Sequence, residues 1–293
     1  MKKNKVFKLY GIFGHPLSHT LSPAMHEAAF RKLGIDANYI VLELARDAFK
    51  KLMNQSSELS LSGFNVTVPY KETVMKYLDS VRPEARAIGA VNTVFKQGKR
   101  WVGTNTDMEG FLMALMKDGG FHPSGKKAVI LGAGGAARAV VYGLSQKGVR
   151  EIFIADCFPQ KARKIARDMH KLFKRVVYHA VVAGTPEVKK ALQKADVIIN
   201  ATPIGLRSQD PRVVPEDWIP QRGAEKKFFM DLIYNPAVTP FLKTAKKKGH
   251  RTLNGLGMLL YQGARALEHW TGRTAPVGVM RQALLQALEE RGK

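Results

Sequence analysis

The stretch AVILGAGGAARAVVYGL, residues 128–144, decides how this chain is read. Ala128–Leu131 is a short apolar run of the kind that forms a strand buried on both faces. It leads directly into Gly132, Gly134 and Ala137, the pattern G-x-G-x-x-A, and a helix is expected over Ala136–Gln146. Glycine-rich turns are common, but here the strand before and the helix after are the ones a dinucleotide site requires. Gly132 allows the tight turn, Gly134 lets a pyrophosphate approach the backbone, and Ala137 is small enough for close helix packing. Gly135 and the following amides at the helix N-terminus would receive the phosphate charge.

The next apolar run, Glu151–Ala155, ends at Asp156, 24 residues after Gly132. A carboxylate there is placed to hydrogen-bond the adenosine ribose and to repel a 2′-phosphate, which favours NAD over NADP. The plainer reading is an Asp that caps the helix beginning near Pro159. Lys161, Arg163 and Lys164 follow closely, and a nearby cation could accommodate a phosphate.

Strands and helices continue to alternate on either side. Strands are expected at Val176–Val182, Asp196–Ala201 and Phe228–Ile233, with helices at Pro159–Phe173 and Pro186–Lys194. This alternation predicts a doubly wound parallel sheet. Upstream, strands are expected at Val6–Phe13, Asn38–Leu44 and Gly63–Val68. Helices are expected from Pro23 to a stop at Gly34, and over Asp107–Lys117. The last 35 or so residues read as helical. The fold class is therefore α/β in two domains. Residues 1–106, completed by 256–293, form an α/β substrate domain, and 107–255 a Rossmann-type nucleotide domain.

Composition fits a globular protein: 293 residues, 45% hydrophobic and 24% charged. The lone cysteine, Cys157, rules out an intrachain disulfide framework and suits a reducing cytoplasm. The opening residues read as a first strand and not as a signal peptide, because Lys8 and His15 interrupt the apolar run. The net charge of +23 could attract anionic partners, but the basic groups are scattered and lack interleaved aromatics. No specific nucleic-acid or membrane partner is expected. A metal site is not expected either: HEAAF at 26–30 lacks the second histidine of a zinc motif, and His15 and His19 have no companion cysteine.

Three further stretches place hydroxyls, amides and charges at strand ends and loops: GHPLSHTLSPAMHEAAF (14–30), NVTVPYK (65–71) and GAVNTVFKQGKRWVGTNTDMEG (89–110). With IINAT (198–202), DLIYNPAVTPFL (231–242) and NGLGMLLYQGA (254–264), they resemble the shikimate dehydrogenase family over essentially the whole chain. The resemblance implies NAD(P)-linked interconversion of shikimate and 3-dehydroshikimate. It implies Lys71 and Asp107 as the catalytic pair, and Thr20, Ser22, Thr67, Asn92, Tyr234 and Gln262 as substrate contacts. Gly255 is implied near the nicotinamide, and Ala201 and Thr202 fall in the motif that follows the fourth nucleotide strand. A lysine ammonium suits the chemistry, since it can hydrogen-bond a developing alkoxide and pass its proton. On residue type alone, Lys71 could equally be an exposed helix start and Asp107 a helix cap.

Two departures from the family pattern stand out. His19-Thr20-Leu21-Ser22-Pro23 replaces H-S-x-S-P, and Asp156-Cys157-Phe158 replaces the N-R-T of NADP-type members. This resembles the NAD-preferring quinate/shikimate branch, so NAD is the expected cofactor, with quinate a further candidate substrate. An NADP-dependent biosynthetic enzyme is the alternative, and a non-catalytic dinucleotide-binding regulator a more distant one. A monomer or homodimer acting on a small molecule is expected.

Overall fold

The computed structural model describes residues 7–17, 20–56, 60–223 and 226–291. Val6, the expected start of the first strand, and His19 lie outside the described residues. The described chain forms two compact units, one from Met1–Gly110 and Leu259–Lys293, the other from Phe111–Met258. Asp107, expected to open the nucleotide domain, thus lies in the first unit.

The first unit contains β1 (Lys8–Gly14), α1 (Ser22–Leu33), β2 (Ala37–Glu43), α2 (Arg46–Asn54), β3 (Gly63–Val66), β4 (Ser80–Val81), α3 (Pro83–Ile88), β5 (Thr93–Gln97) and β6 (Arg100–Thr104). The boundaries between the units fall within α4 (Asp107–Met113) and α9 (Leu256–Thr271), and α10 (Val277–Arg291) ends the described chain. The sheet runs β2-β1-β3-β5-β6-β4. β1 is parallel to β2 and β3, whereas β5 is antiparallel to both β3 and β6. α1 carries Pro23 in its first turn and stops at Gly34, whose φ of 62° only glycine adopts without strain. Phe13, Phe49, Phe64, Val74, Val94 and Trp101 build the core on one side of this sheet. On α9, Trp270 stacks on Tyr10 at 4.9 Å and donates its indole N–H to the Val94 carbonyl at 2.9 Å.

The second unit contains β7 (Lys127–Leu131), α5 (Gly135–Gln146), β8 (Glu151–Asp156), α6 (Pro159–Leu172), β9 (Val177–Val182), α7 (Pro186–Lys194), β10 (Val197–Asn200), β11 (Phe228–Asp231), α8 (Pro240–Lys247) and β12 (Arg251–Leu253). Its six strands are all parallel in the order β12-β11-β10-β7-β8-β9. Strand order reverses between β7 and β10, so the Gly132 turn leaves the sheet at its topological switch point, where such sheets bind ligands. Val140, Val141 and Leu144 on α5 are fully buried, each stabilising the unit by about 1.5–3 kcal/mol. The opposite face is closed by Val188, Leu192, Phe241 and Leu242 from α7 and α8.

The structure differs from the expected elements in places. The third strand stops at Val66, two residues early, because the chain turns at Val68–Pro69, where the Thr67 carbonyl accepts the Tyr70 N–H at 2.9 Å. The expected helix over Asp107–Lys117 is α-helical only to Met113 and widens to π over Ala114–Asp118. α2, α3, α8 and the strands β4, β5, β6 and β12 were not expected from the sequence.

Candidate functional site

In the first unit, four separate segments bring polar side chains together. Lys71 follows the loop after β3, and its backbone carbonyl accepts the Val91 N–H at 2.8 Å, which fixes the segment against the start of β5. Its Nζ lies 2.7 Å from Asp107 Oδ2, with the two side chains only 13% and 6% exposed. Asp107 is the first residue of α4, where the helix dipole favours a negative charge. The second oxygen of Asp107 accepts from Asn92 Nδ2 at 2.8 Å. Asn92 Nδ2 also lies 3.2 Å from Gln262 Oε1 on α9. Lys71, Asn92, Asp107 and Gln262 therefore form one connected polar group, and the reading of Lys71 as an exposed helix start does not describe it.

Thr20, Ser22 and Thr67 lie in the same unit. Ser22 is buried beside the Tyr39 phenol, and its N–H bonds the Thr20 hydroxyl at 3.3 Å. Burial pushes that phenol far above its ordinary range. Thr67 packs on Gly14, and its carbonyl accepts the Tyr70 N–H at 2.9 Å. Sequence reasoning missed Asn65, Thr93 and Thr106, which are buried beside Asn92. They stand in the same motifs as Lys71, Asn92 and Asp107, but only strand pairing brings them together.

In the second unit, the Gly132 turn has φ of +105°, a conformation that suits glycine. A Cβ there would meet the Ala201 carbonyl and the Thr202 methyl at 3.0 Å. Above Gly134 there is open space: a Cβ would meet nothing within 4 Å. Gly134 also precedes the first turn of α5 without any side-chain cap on the free amides, and Ala137 is fully buried against the sheet. An open, uncapped helix start beside a glycine turn fits the pyrophosphate of a dinucleotide.

Asp156 ends β8 and is half-buried. One carboxylate oxygen accepts the Ala133 N–H at 2.7 Å and the other the Phe158 N–H at 2.8 Å. It thereby braces the glycine turn, and α6 begins after Phe158 with no side-chain cap, so Asp156 is not that helix's N-cap. Cys157 and Phe158 are exposed beside it, and Lys161 Nζ sits 4.8 Å from the Phe158 ring centroid. The Thr202 hydroxyl donates to Asn200 Oδ1 at 2.7 Å. Tyr234 lies in the loop after β11, and the Gly255 N–H bonds the Ile233 carbonyl at 2.9 Å. Asp231, not expected as a site residue, is fully buried and accepts from Asn200 Nδ2, the Ile233 N–H and the Thr239 hydroxyl at 3.1, 3.0 and 2.7 Å. Burial holds its carboxyl above the usual carboxylate range. It ties together the loops that carry Thr202 and Tyr234. Among the described residues, no group of three or more His, Cys, Asp or Glu side chains is gathered as a metal would need.

Comparison with known proteins decides the family. Residues 12–94 match the shikimate dehydrogenase substrate binding domain, 115–254 the shikimate / quinate 5-dehydrogenase model, and 255–285 the shikimate 5'-dehydrogenase C-terminal domain. The chain is 43% identical over 274 residues to the shikimate dehydrogenase (NADP(+)) of Desulforamulus reducens, covering 94% of this chain and 93% of the relative. The chain belongs to the shikimate dehydrogenase family. As a shikimate dehydrogenase family member it is an NAD(P)-dependent oxidoreductase. The fold agrees with a Thermus thermophilus shikimate 5-dehydrogenase solved with NADP(H) and shikimate, at TM-score 0.82 and 36% identity over 96% of this chain and 100% of that one. A quinate dehydrogenase from Corynebacterium glutamicum in complex with NAD gives TM-score 0.84 at 29% identity, over 95% and 99% of the two chains.

Proposed function

We propose that this chain interconverts shikimate and 3-dehydroshikimate, with Lys71 and Asp107 handling the hydroxyl proton. The observation that carries this is the 2.7 Å Lys71–Asp107 contact, braced by Asn92 and largely shielded from water. One ammonium N–H of Lys71 is committed to Asp107, leaving the others for a substrate oxygen. Such a donor stabilises the alkoxide that forms as the C–H bond breaks, and it receives or returns the hydroxyl proton. Asp107, with both oxygens engaged by donors, orients Lys71 and does not itself contact the reacting atoms. Thr20, Ser22, Thr67, Asn92, Gln262 and Tyr234 offer the hydroxyls and amides that a small polyhydroxy acid requires.

The glycine turn, the uncapped α5 start, Asp156, Ala201, Thr202 and Gly255 would hold the dinucleotide. When bound, its nicotinamide supplies the hydride acceptor. For the cofactor, the NADP(+) in the relative's name and the NADP(H) of the Thermus structure support NADP(+) as the first reading. The second reading, NAD with quinate as an added substrate, is favoured by one observation. The Asp156 carboxylate stands at the strand end, followed by Cys157 where an arginine would clamp a 2′-phosphate.

Initial rates with shikimate, varying NADP(+) and NAD(+) separately, test both readings. A larger kcat/KM with NADP(+) supports the first. A larger value with NAD(+) supports the second and makes quinate the next substrate to try. No turnover with either cofactor refutes the shikimate reading.

A further inference from the structure

Behind the Lys71–Asp107 pair lies a buried run of side-chain hydrogen bonds whose directions, outside the Thr93–Thr106 hydroxyl pair, are set by the donors available. The Tyr39 hydroxyl donates to Asn65 Oδ1 at 2.7 Å. Asn65 Nδ2 is therefore turned to the other side, where it donates to the Asn92 carbonyl and to Thr93 Oγ1, both at 3.1 Å. The contact is built into the sheet, because Asn65 on β3 and Thr93 on β5 are directly paired across strands. Thr93, having accepted, has one proton to give. It goes to Asn92 Oδ1 at 3.2 Å, or to Thr106 Oγ1 at 3.0 Å, in which case the Thr106 hydroxyl donates to Asn92 Oδ1 at 3.2 Å. On either course a hydroxyl proton arrives at Asn92 Oδ1, which also accepts the Thr106 N–H at 2.7 Å. The amide then turns its Nδ2 to Asp107 Oδ1 at 2.8 Å, with Thr106 Oγ1 at 3.0 Å and Gln262 Oε1 at 3.2 Å sharing its two protons.

We infer that Asn65 and Thr93 are positioning residues, a one-way hydrogen-bond relay that fixes the amide orientation of Asn92 and thereby aims Asp107 and Lys71. This rests on the proposed role of that pair. A flipped Asn92 would set Oδ1 against the Asp107 carboxylate, acceptor against acceptor, and free the carboxylate to rotate away from Lys71. A buried network of this kind holds its geometry only when every member is satisfied, so one missing hydroxyl near the middle is felt at the end.

The test compares Thr93→Val, which keeps the shape and removes the hydroxyl, with Thr93→Ser, which keeps the hydroxyl. We measure kcat and KM for shikimate, and by NMR the solvent exchange of the Asn92 side-chain amide protons. Thr93→Val lowers kcat by about ten-fold or more while KM stays within about two-fold, since the loss is one of orientation. Its Asn92 amide protons exchange faster, and Thr93→Ser restores both measures. Unchanged kcat and exchange in Thr93→Val, or equal damage in both variants, overturns the inference. If Thr93→Val does not fold, Tyr39→Phe removes the first O–H donor and keeps the ring. Faster Asn92 exchange with a several-fold lower kcat supports the relay, and wild-type behaviour overturns it. A wild-type chain that turns over no shikimate would refute the functional reading, while the exchange measurement would still judge the relay.

Discussion

Replacing Lys71 by methionine removes the ammonium and keeps the length of the side chain. At 2.7 Å, and with an effective dielectric near 20, the charges of Lys71 and Asp107 attract by about 6 kcal/mol. Drawing both groups out of water offsets much of this, so their mutual coupling should be on the order of 2–3 kcal/mol. The catalytic loss is a separate quantity: a positioned proton donor contributes about 10²–10⁴ in rate. Lys71→Met should therefore lower kcat for shikimate oxidation by about that factor. Asp107→Asn, which sets an amide N–H or a neutral oxygen against the ammonium, should cost about 10–100-fold. Because Asp107 acts through Lys71, the double variant should be no slower than Lys71→Met alone. Initial rates followed by cofactor absorbance give all three values. Multiplying penalties in the double variant, or a Lys71→Met enzyme retaining most of its kcat, would refute the reasoning.

Gly134→Ala should leave the Tm of the free protein nearly unchanged, because a Cβ there meets nothing within 4 Å. It should weaken cofactor binding by about ten-fold or more, as calorimetry would show, since the methyl takes the space left for a pyrophosphate. Cys157→Arg adds a guanidinium beside Asp156 without disturbing its bonds to the Ala133 and Phe158 amides. The ratio of kcat/KM for NADP(+) over NAD(+) should rise by about ten-fold, and an unchanged ratio would detach the 2′-phosphate from this strand end. His26 is wholly buried against the Tyr39 ring at 4.6 Å, and burial lowers its pKa to about 3. A depressed pKa means the neutral form is the folded one. The stability it contributes is present above pH 6.5 and lost as pH falls towards 3, by as much as about 5 kcal/mol. His26→Leu should flatten denaturant-measured stability across that window, and an unaltered slope would place the acid sensitivity elsewhere.

Parts of this molecule are written locally in the sequence, and others exist only after strands pair. β7 and the Gly132 turn are legible because an apolar run, two glycines and an amphipathic helix follow one another within a single segment. Lys71 and Asp107 stand out only through motif resemblance, since by residue type a lysine after a loop and an Asp opening a helix are ordinary. β5 and β6 escaped notice for a physical reason. β5 buries Thr93, Val94 and Phe95 in succession, and β6 is interrupted at Gly103, where Leu78 and Val91 fill the side-chain space, so neither alternates. α2 has apolar residues at helical spacing, Phe49, Leu52 and Met53, but is only nine residues long, so the pattern covers barely one repeat. Asn65, Thr93 and Thr106 were missed together, because the β3–β5 register opposes the first two and the chain's return past β6 delivers the third.

The first unit is closed by residues that follow the second unit in the chain. Gln262 reaches Asn92, and Trp270 fills the space over Gly63 and caps the Val94 carbonyl, yet Phe111–Met258 must be synthesised before either exists. The second unit is continuous in sequence and can fold as it leaves the ribosome. At about 5–20 residues per second, the earlier-made sheet waits on the order of ten seconds or more with its Trp270 seat empty. During that time Tyr10, His26 and Tyr39, the three rings that Trp270 finally meets, lack that cover.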